Sequence, residues 1–264
     1  MKFWTSIVWP IAQAQHWNGK EIDKAIPNHP PQTPARHVCC VSEFNSDLII
    51  MKRANIERWT PDGKELKWTF YSKLFYSTHC VYQYKDCLIL IASGIDLILM
   101  IDQKGNIVWE WWGYKNGLCE EPTFINKPDW QIIQLSLEAP KVEKNLHLNS
   151  GYISGSDFIA CSLKRKSLFR IPIGGQGYTI EAETTEGCHS PIPSGDGFIY
   201  GDKEGIMCGS KRLLKGFQWV KTIRETKSGF FFTHMAGVTK TDKNWNVIET
   251  ISLPHPFTLS LLEE

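Results

Sequence analysis

Four of the eight histidines in this 264-residue chain recur at one place in a repeating pattern. His37, His79, His147 and His189 each open a short run rich in β-branched and aromatic residues: His37–Phe44, His79–Tyr84, His147–Ile153 and His189–Pro193. Imidazole is a borderline-soft ligand for iron, copper, zinc or nickel. A set of imidazoles without thiolate or carboxylate leaves the metal's charge uncompensated. That favours an open Lewis-acid or oxygen-activating centre over a closed structural zinc. The expectation is therefore a divalent metal, Fe(II) first with Cu or Zn as alternatives, held by these four residues. Carboxylates behind such a ring would hold the remaining imidazole N–H groups, and Glu43, Glu120 and Glu121 are the candidates by proximity in sequence. A fifth run lacks the histidine. Trp219 is nearest in register and Lys221 is the alternative, and either would wall a pocket for an apolar or aromatic small-molecule substrate.

The elements that must position these residues are strands. No fifteen-residue stretch carries a clean helical stripe, and short apolar runs alternate with turn residues such as Asp62-Gly63, Gly105-Asn106 and Asp196-Gly197. The runs fall into five units of four strands, about 30 to 45 residues each, which is the period of propeller blades. The predicted fold is an all-β, five-bladed β-propeller with four-stranded antiparallel blades, with six blades as the alternative. A single domain would span 1–264. Within it, residues 1–36 would be an N-terminal strand and a Pro-rich connector, and 114–144 an insertion loop. In a propeller the first strand of each blade lines the axis, so the four histidines would aim at one point.

One echo fixes the register. Ile101-Asp-Gln-Lys-Gly-Asn-Ile-Val-Trp109 matches Thr60-Pro-Asp-Gly-Lys-Glu-Leu-Lys-Trp68 in outline, and Asp242-Lys-Asn-Trp-Asn-Val-Ile is a looser copy. The pattern is an Asp turn, a Gly or Asn, then an apolar residue and often Trp, which would cover the next sheet. It resembles the third-to-fourth-strand hairpin of arylsulfotransferase-like, PQQ-type and NHL propeller repeats, over roughly residues 37–253. The resemblance implies a propeller. It also supplies a rival chemistry, because arylsulfotransferase-like propellers use a His nucleophile with Arg and His partners for the sulfate. Such a site wants guanidinium in the ring, and Arg36 and Arg224 are the arginines near strand starts. A four-His iron centre on a propeller axis resembles, in geometry only, that of the carotenoid-cleavage oxygenases. The leading expectation is a metal-dependent enzyme, a non-haem iron oxygenase or related oxidoreductase. The alternatives are a His-nucleophile sulfotransferase-like enzyme and a non-catalytic ligand- or protein-binding propeller, in which Trp111, Trp112 and Trp130 would be exposed for stacking.

Composition trims the field. The 29 Lys and Arg against 28 Asp and Glu leave a net charge of +1, too little basic excess for general nucleic-acid binding. The longest apolar stretch, 87–101, is broken by Ser93, Gly94 and Asp96, so no membrane span is expected. There is no phosphate-cradling glycine loop, no Rossmann fingerprint and no nucleophile elbow. The eight cysteines include no C-x-x-C pair. With no signal-peptide pattern at the start, reduced thiols in a cytoplasmic protein are expected.

Overall fold

The computed structural model describes residues 2–7, 13–27, 40–52, 55–122, 127–128, 146–195 and 197–263. Within them lie 24 strands in six four-stranded antiparallel sheets. Five of these blades are the five sequence units. Blade 2 is β4 (Cys40–Phe44), β5 (Asp47–Met51), β6 (Asn55–Trp59) and β7 (Leu66–Tyr71). Blade 3 is β8 (Thr78–Tyr84), β9 (Cys87–Ala92), β10 (Leu97–Ile101) and β11 (Ile107–Trp112). Blade 4 is β12 (Leu148–Ser154), β13 (Asp157–Ser162), β14 (Ser167–Pro172) and β15 (Thr179–Glu183). Blade 5 is β16 (His189–Ser194), β17 (Gly197–Gly201), β18 (Gly205–Cys208) and β19 (Lys211–Lys215). Blade 6 is β20 (Thr222–Glu225), β21 (Gly229–His234), β22 (Gly237–Asp242) and β23 (Val247–Ser252).

The blade count is six, not five. Residues expected to be a terminal strand and a connector supply three strands, β1 (Lys2–Ile7), β2 (Gln13–Trp17) and β3 (Ile22–Pro27). The chain's last strand, β24 (Pro256–Glu263), pairs antiparallel with β1 and completes blade 1 from the inside. Lys2–Ile7 therefore closes the ring, in a blade built from both ends of the chain. The reason is that β2 buries only Ala14 and His16, on alternate residues, so its apolar signal is slight. Of the insertion assigned to 114–144, a short helical turn at Tyr114–Asn116 leads out of β11, and most of the remainder lies outside the described residues.

The core is six clusters, one between each pair of neighbouring blades. Each sheet has both faces buried, so strands such as β9, with five of six residues buried, read as continuous apolar runs. The Trp hairpins behave as the echo implied. Trp109 and Trp111 of blade 3 donate their indole N–H groups to the carbonyls of Gly175 (2.8 Å) and Gly177 (2.9 Å) in the blade 4 hairpin. Trp4 does the same to Pro61 O in blade 2 (3.2 Å). Trp111 and Trp112 are buried, not available for stacking, and Trp130 lies outside the described residues. The hairpins themselves are Asp turns. Asp102 accepts from the Lys104 and Asn106 backbone N–H groups, and Asp242 accepts from those of Asn244 and Asn246. In blade 2 it is Thr60, not Asp62, that takes the matching place, receiving the Glu65 N–H on its hydroxyl. That turn is one residue longer, so the echo is in register on the fourth strand and one residue out on the third.

The inner strands β24, β4, β8, β12, β16 and β20 contact one another in that order and close the ring. Thr258 on β24 is central to the closure. Its hydroxyl accepts the Val41 N–H of blade 2 (2.7 Å) and meets Ser6 Oγ of β1 (2.8 Å), while its carbonyl accepts from Thr5 Oγ1 (2.7 Å). Thr258→Val keeps the shape but strands the buried Val41 N–H. An unpaired buried donor costs about 1–3 kcal/mol. Chemical denaturation should show a loss of that size, and Thr258→Ser should recover most of it.

Candidate functional site

Each inner strand after a described connection begins with a backbone kink. Ser77 (φ 53°), His147 (φ 55°), Gly187 (φ 85°), Trp219 (φ 53°) and His255 (φ 47°) stand in the left-handed region just ahead of β8, β12, β16, β20 and β24. Only glycine occupies this region without strain, so four side chains pay about 1 kcal/mol or more each to make the turn. The residue two places later is then set at the mouth of the axis. Those residues are His79, Asn149, His189, Lys221 and Phe257. The next residue lines the channel. Those are Cys80, Ser150, Ser190, Thr222 and Thr258, joined by Cys40 of β4.

This register sorts the predicted ligands. His79 and His189 are equivalent. Each donates its Nδ1–H to the carbonyl two residues back, Ser77 O at 2.8 Å and Gly187 O at 2.6 Å. His147 is not their equivalent: it is itself the kink residue, and Asn149 holds the axial place. The His147 ring still reaches the mouth, edge-to-face with His79 at a centroid separation of 5.7 Å. His37 lies outside the described residues. Trp219 is also a kink residue and sits edge-to-face with His189 at 6.5 Å, whereas Lys221 occupies the axial tier. Glu43 lines the channel, but its carboxylate accepts from Ser260 Oγ (2.6 Å) and lies toward the far end of β4. Glu120 and Glu121 are exposed, and Glu120 borders a separate open cavity with Lys164 and Arg165.

Three neighbouring pairs of mouth residues touch. The Asn149 amide donates to Cys188 O (3.0 Å) and faces His189 Nε2 (3.3 Å). The Lys221 ammonium lies 4.8 Å from the centre of the Phe257 ring, and that ring meets His79 edge-to-face at 5.7 Å. Below them a cavity of about 560 Å³ follows the axis, lined by all six inner strands from Lys221 to Glu43, Gln83, Glu225 and Ser260. Arg224, on β20, lies within it, three residues after Lys221, about 10 Å of extended chain, with its Nε on Leu259 O (3.2 Å).

Electrostatics separate the members. Burial lowers the pKa of His189 to about 4, and the nearby Lys221 charge adds to the effect. His189 is thus a neutral imidazole, with Nδ1–H on Gly187 O and Nε2 facing the Asn149 amide. Desolvation lowers Lys221 to about 8. Among the described residues Lys221 and Arg224 form no ion pair with a carboxylate, although eight of the other lysines and arginines do. Among the described residues, which do not include His37, no three His, Cys, Asp or Glu side chains group as metal donors. Asn149, Phe257 and the cavity position of Arg224 are additions to the expected site. The kink that sets their register leaves no residue-type signature, because Ser, His, Gly, Trp and His all occupy it.

No family model matches the chain, and no curated protein matches it. Solved structures do. A protein of unknown function from Bacteroides caccae aligns with a TM-score of 0.68 at 11% identity, covering 98% of this chain and 97% of that one. A chain of a nidogen/laminin complex aligns at 0.63 and 11%, covering 98% and 97%. A streptogramin B lyase aligns at 0.58 and 10%, covering 94% and 80%. At these identities the likeness establishes the β-propeller fold. No described helix is long and apolar enough to cross a membrane.

Two buried histidines make stability depend on acid. His234, packed against Phe217 and Phe232, is also lowered to about 4 by burial. A histidine that is neutral in the fold binds its proton more readily once unfolded. Stability is therefore complete above the unfolded pKa of about 6.5 and is lost as pH falls toward 4. At 1.36 kcal/mol per unit, each site is worth about 3 kcal/mol below pH 4. Denaturation midpoints should drop across pH 6.5 to 4, and His234→Gln should flatten that slope by about half.

Proposed function

We propose that the axial cavity is a binding site for a small anionic organic molecule, with its acidic group seated at Lys221 and the remainder running toward Arg224. The observation that carries this is a pair of cations, Lys221 just ahead of β20 and Arg224 on it, both in the cavity and neither ion-paired among the described residues. Both are half-buried, and a partly desolvated Lys or Arg favours a counter-charge, so an incoming carboxylate, sulfate or phosphate would supply one. Phe257 offers an apolar face beside Lys221, and the hydroxyls of Ser150, Ser190, Thr222 and Thr258 surround the upper cavity. The volume suits a ligand of metabolite size. Substrate turnover is not required by this reading. If the ligand is a sulfate ester, His79 stands beside Phe257 at the same mouth, which keeps the sulfotransferase-like alternative within this site.

The four-histidine iron reading is the rival. Its support is the His79–His147 contact. A metal content in purified protein that disappears in both His79→Ala and His147→Ala would favour it over the anion site.

Calorimetric titration with a panel of small carboxylates, sulfate esters and phosphate monoesters tests the proposal. A binder from this panel should lose at least about tenfold in affinity in Lys221→Met and again in Arg224→Met, since one charge-assisted hydrogen bond is worth roughly 1.5–3 kcal/mol. Unchanged affinity in both variants would overturn it. The pH dependence has a definite sign. Lys221 is charged below about 8, so affinity should be full at pH 7 and fall as pH rises through 8 to 9. Because the bound anion favours the ammonium, binding at pH 8.5 should take up protons, visible as a buffer-dependent heat.

A further inference from the structure

Four cysteine thiols form two pairs, Cys40 with Cys80 in the channel lining and Cys161 with Cys188 behind it. The second pair is unusual. The Sγ atoms of Cys161 and Cys188 lie 2.7 Å apart, and both residues are fully buried. Non-bonded carbon atoms settle at about 3.5–4.0 Å, and sulfur is larger. A thiol–thiol hydrogen bond therefore does not account for this approach, which lies nearer to the covalent S–S length of about 2.05 Å. We infer that Cys161 and Cys188 are a disulfide site that staples blade 4 to blade 5.

The surroundings suit a crosslink. Cys161 is on β13, paired with Ser150 of the inner strand β12. Cys188 lies one residue ahead of β16, in the segment between the Gly187 kink and His189. The two share an apolar cluster with Ile159, Leu168, Phe198 and Tyr200, which packs around both. The Cys188 carbonyl also accepts from the Asn149 amide (3.0 Å). A covalent link would hold His189 and Asn149, two of the mouth residues, in one position. The inference does not rest on the anion reading, because neither sulfur belongs to that cavity.

The chemistry balances with a low-molecular-weight disulfide as oxidant. Two thiols lose two protons and two electrons and form one S–S bond, and one oxidised glutathione becomes two glutathione thiols. Burial holds the Cys161 thiol well above its usual pKa, so the folded, reduced protein should exchange slowly and the bond should form mainly during folding. This qualifies the expectation of reduced thiols for this pair alone.

The test is a peptide map. Wild-type protein is refolded with reduced and oxidised glutathione, alkylated in denaturant and digested without reduction. The expected result is a cross-linked Cys161–Cys188 peptide, 2 Da lighter than the sum of its reduced parts, that disappears on treatment with a phosphine. Melting should fall by about 5 °C on reduction, as expected for a loop of this size in a chain this long, and Cys188→Ala should show no such difference between conditions. Recovery of Cys161 and Cys188 both alkylated, or of a Cys40–Cys80 link in their place, would overturn the inference. The map uses the wild-type chain, so it decides the matter even if the variant fails to fold.

Discussion

The whole ring rests on one constraint: the innermost strand of every blade has no strand beside it. Its outward edge is paired, but its axial edge leaves backbone N–H and C=O groups facing the channel, and a buried group left unpaired costs as much as a lost hydrogen bond. The chain answers with side chains from the preceding blade. Thr258 Oγ1 takes the Val41 N–H, Tyr82 OH takes the Gly151 N–H, and Ser190 Oγ takes the Ile223 N–H. Between blades 4 and 5 the recipient position is Pro191, which has no N–H to offer. There the bond moves back one residue, and Ser150 Oγ accepts from the Ser190 N–H (2.7 Å). Between blades 6 and 1 the direction reverses, with Thr222 Oγ1 donating to Phe257 O (3.0 Å). Between blades 2 and 3 the thiols of Cys40 and Cys80 meet in place of hydroxyls. Each link spans a blade junction, so the axial bonds and the six apolar clusters hold the same interfaces from opposite sides.

This arrangement explains why the site is where it is. The channel-lining tier is nearly uniform, two cysteines and four hydroxyl residues, because its task is the same at every junction. The tier at the mouth also bonds across junctions, as Asn149 does to Cys188 O, but it is chemically diverse: His79, Asn149, His189, Lys221 and Phe257. Repetition marks what the fold requires, and departure from it marks where the fold is free to do something else. The positive-φ residues between blades belong to the first class in position, since each sits two residues ahead of the mouth, and to neither class in residue type.

The legibility of the sequence divides along the same line. Blades 2 to 6 could be read because their strands are buried on both faces and their hairpins carry Asp turns that need particular residues at particular places. Blade 1 could not, because its four strands come from opposite ends of the chain and β2, with Gln13, Gln15 and His16, carries little apolar pattern. The histidine ring was half legible. His79 and His189 do share a place and a hydrogen bond, but His147 was aligned with them by its nearness to a strand start. The sequence carries no record of φ, and a left-handed residue advances the register by two without any change in composition. Asn149 and Phe257 were missed for the same reason, and Lys221 was second to Trp219 for the same reason again. Trp219 is the kink and Lys221 is what the kink presents.

The charge distribution completes the argument. The protein is nearly neutral overall, and most of its buried or half-buried charges are compensated locally. Lys52 is paired with Glu57, Asp47 with Arg58 and Lys67, and Asp202 with Arg212. A fold that neutralises charges this consistently has carboxylates at hand for β20 as well, yet Glu225 reaches outward to Lys243 and Glu43 is held by Ser260. Lys221 and Arg224 are left facing the axis with an aromatic ring and a backbone carbonyl as their partners. Desolvating a cation in this way lowers stability, and the cost recurs in every folded molecule. Among the described residues no carboxylate offsets it, which makes Lys221 and Arg224 the part of the axis that folding alone does not explain.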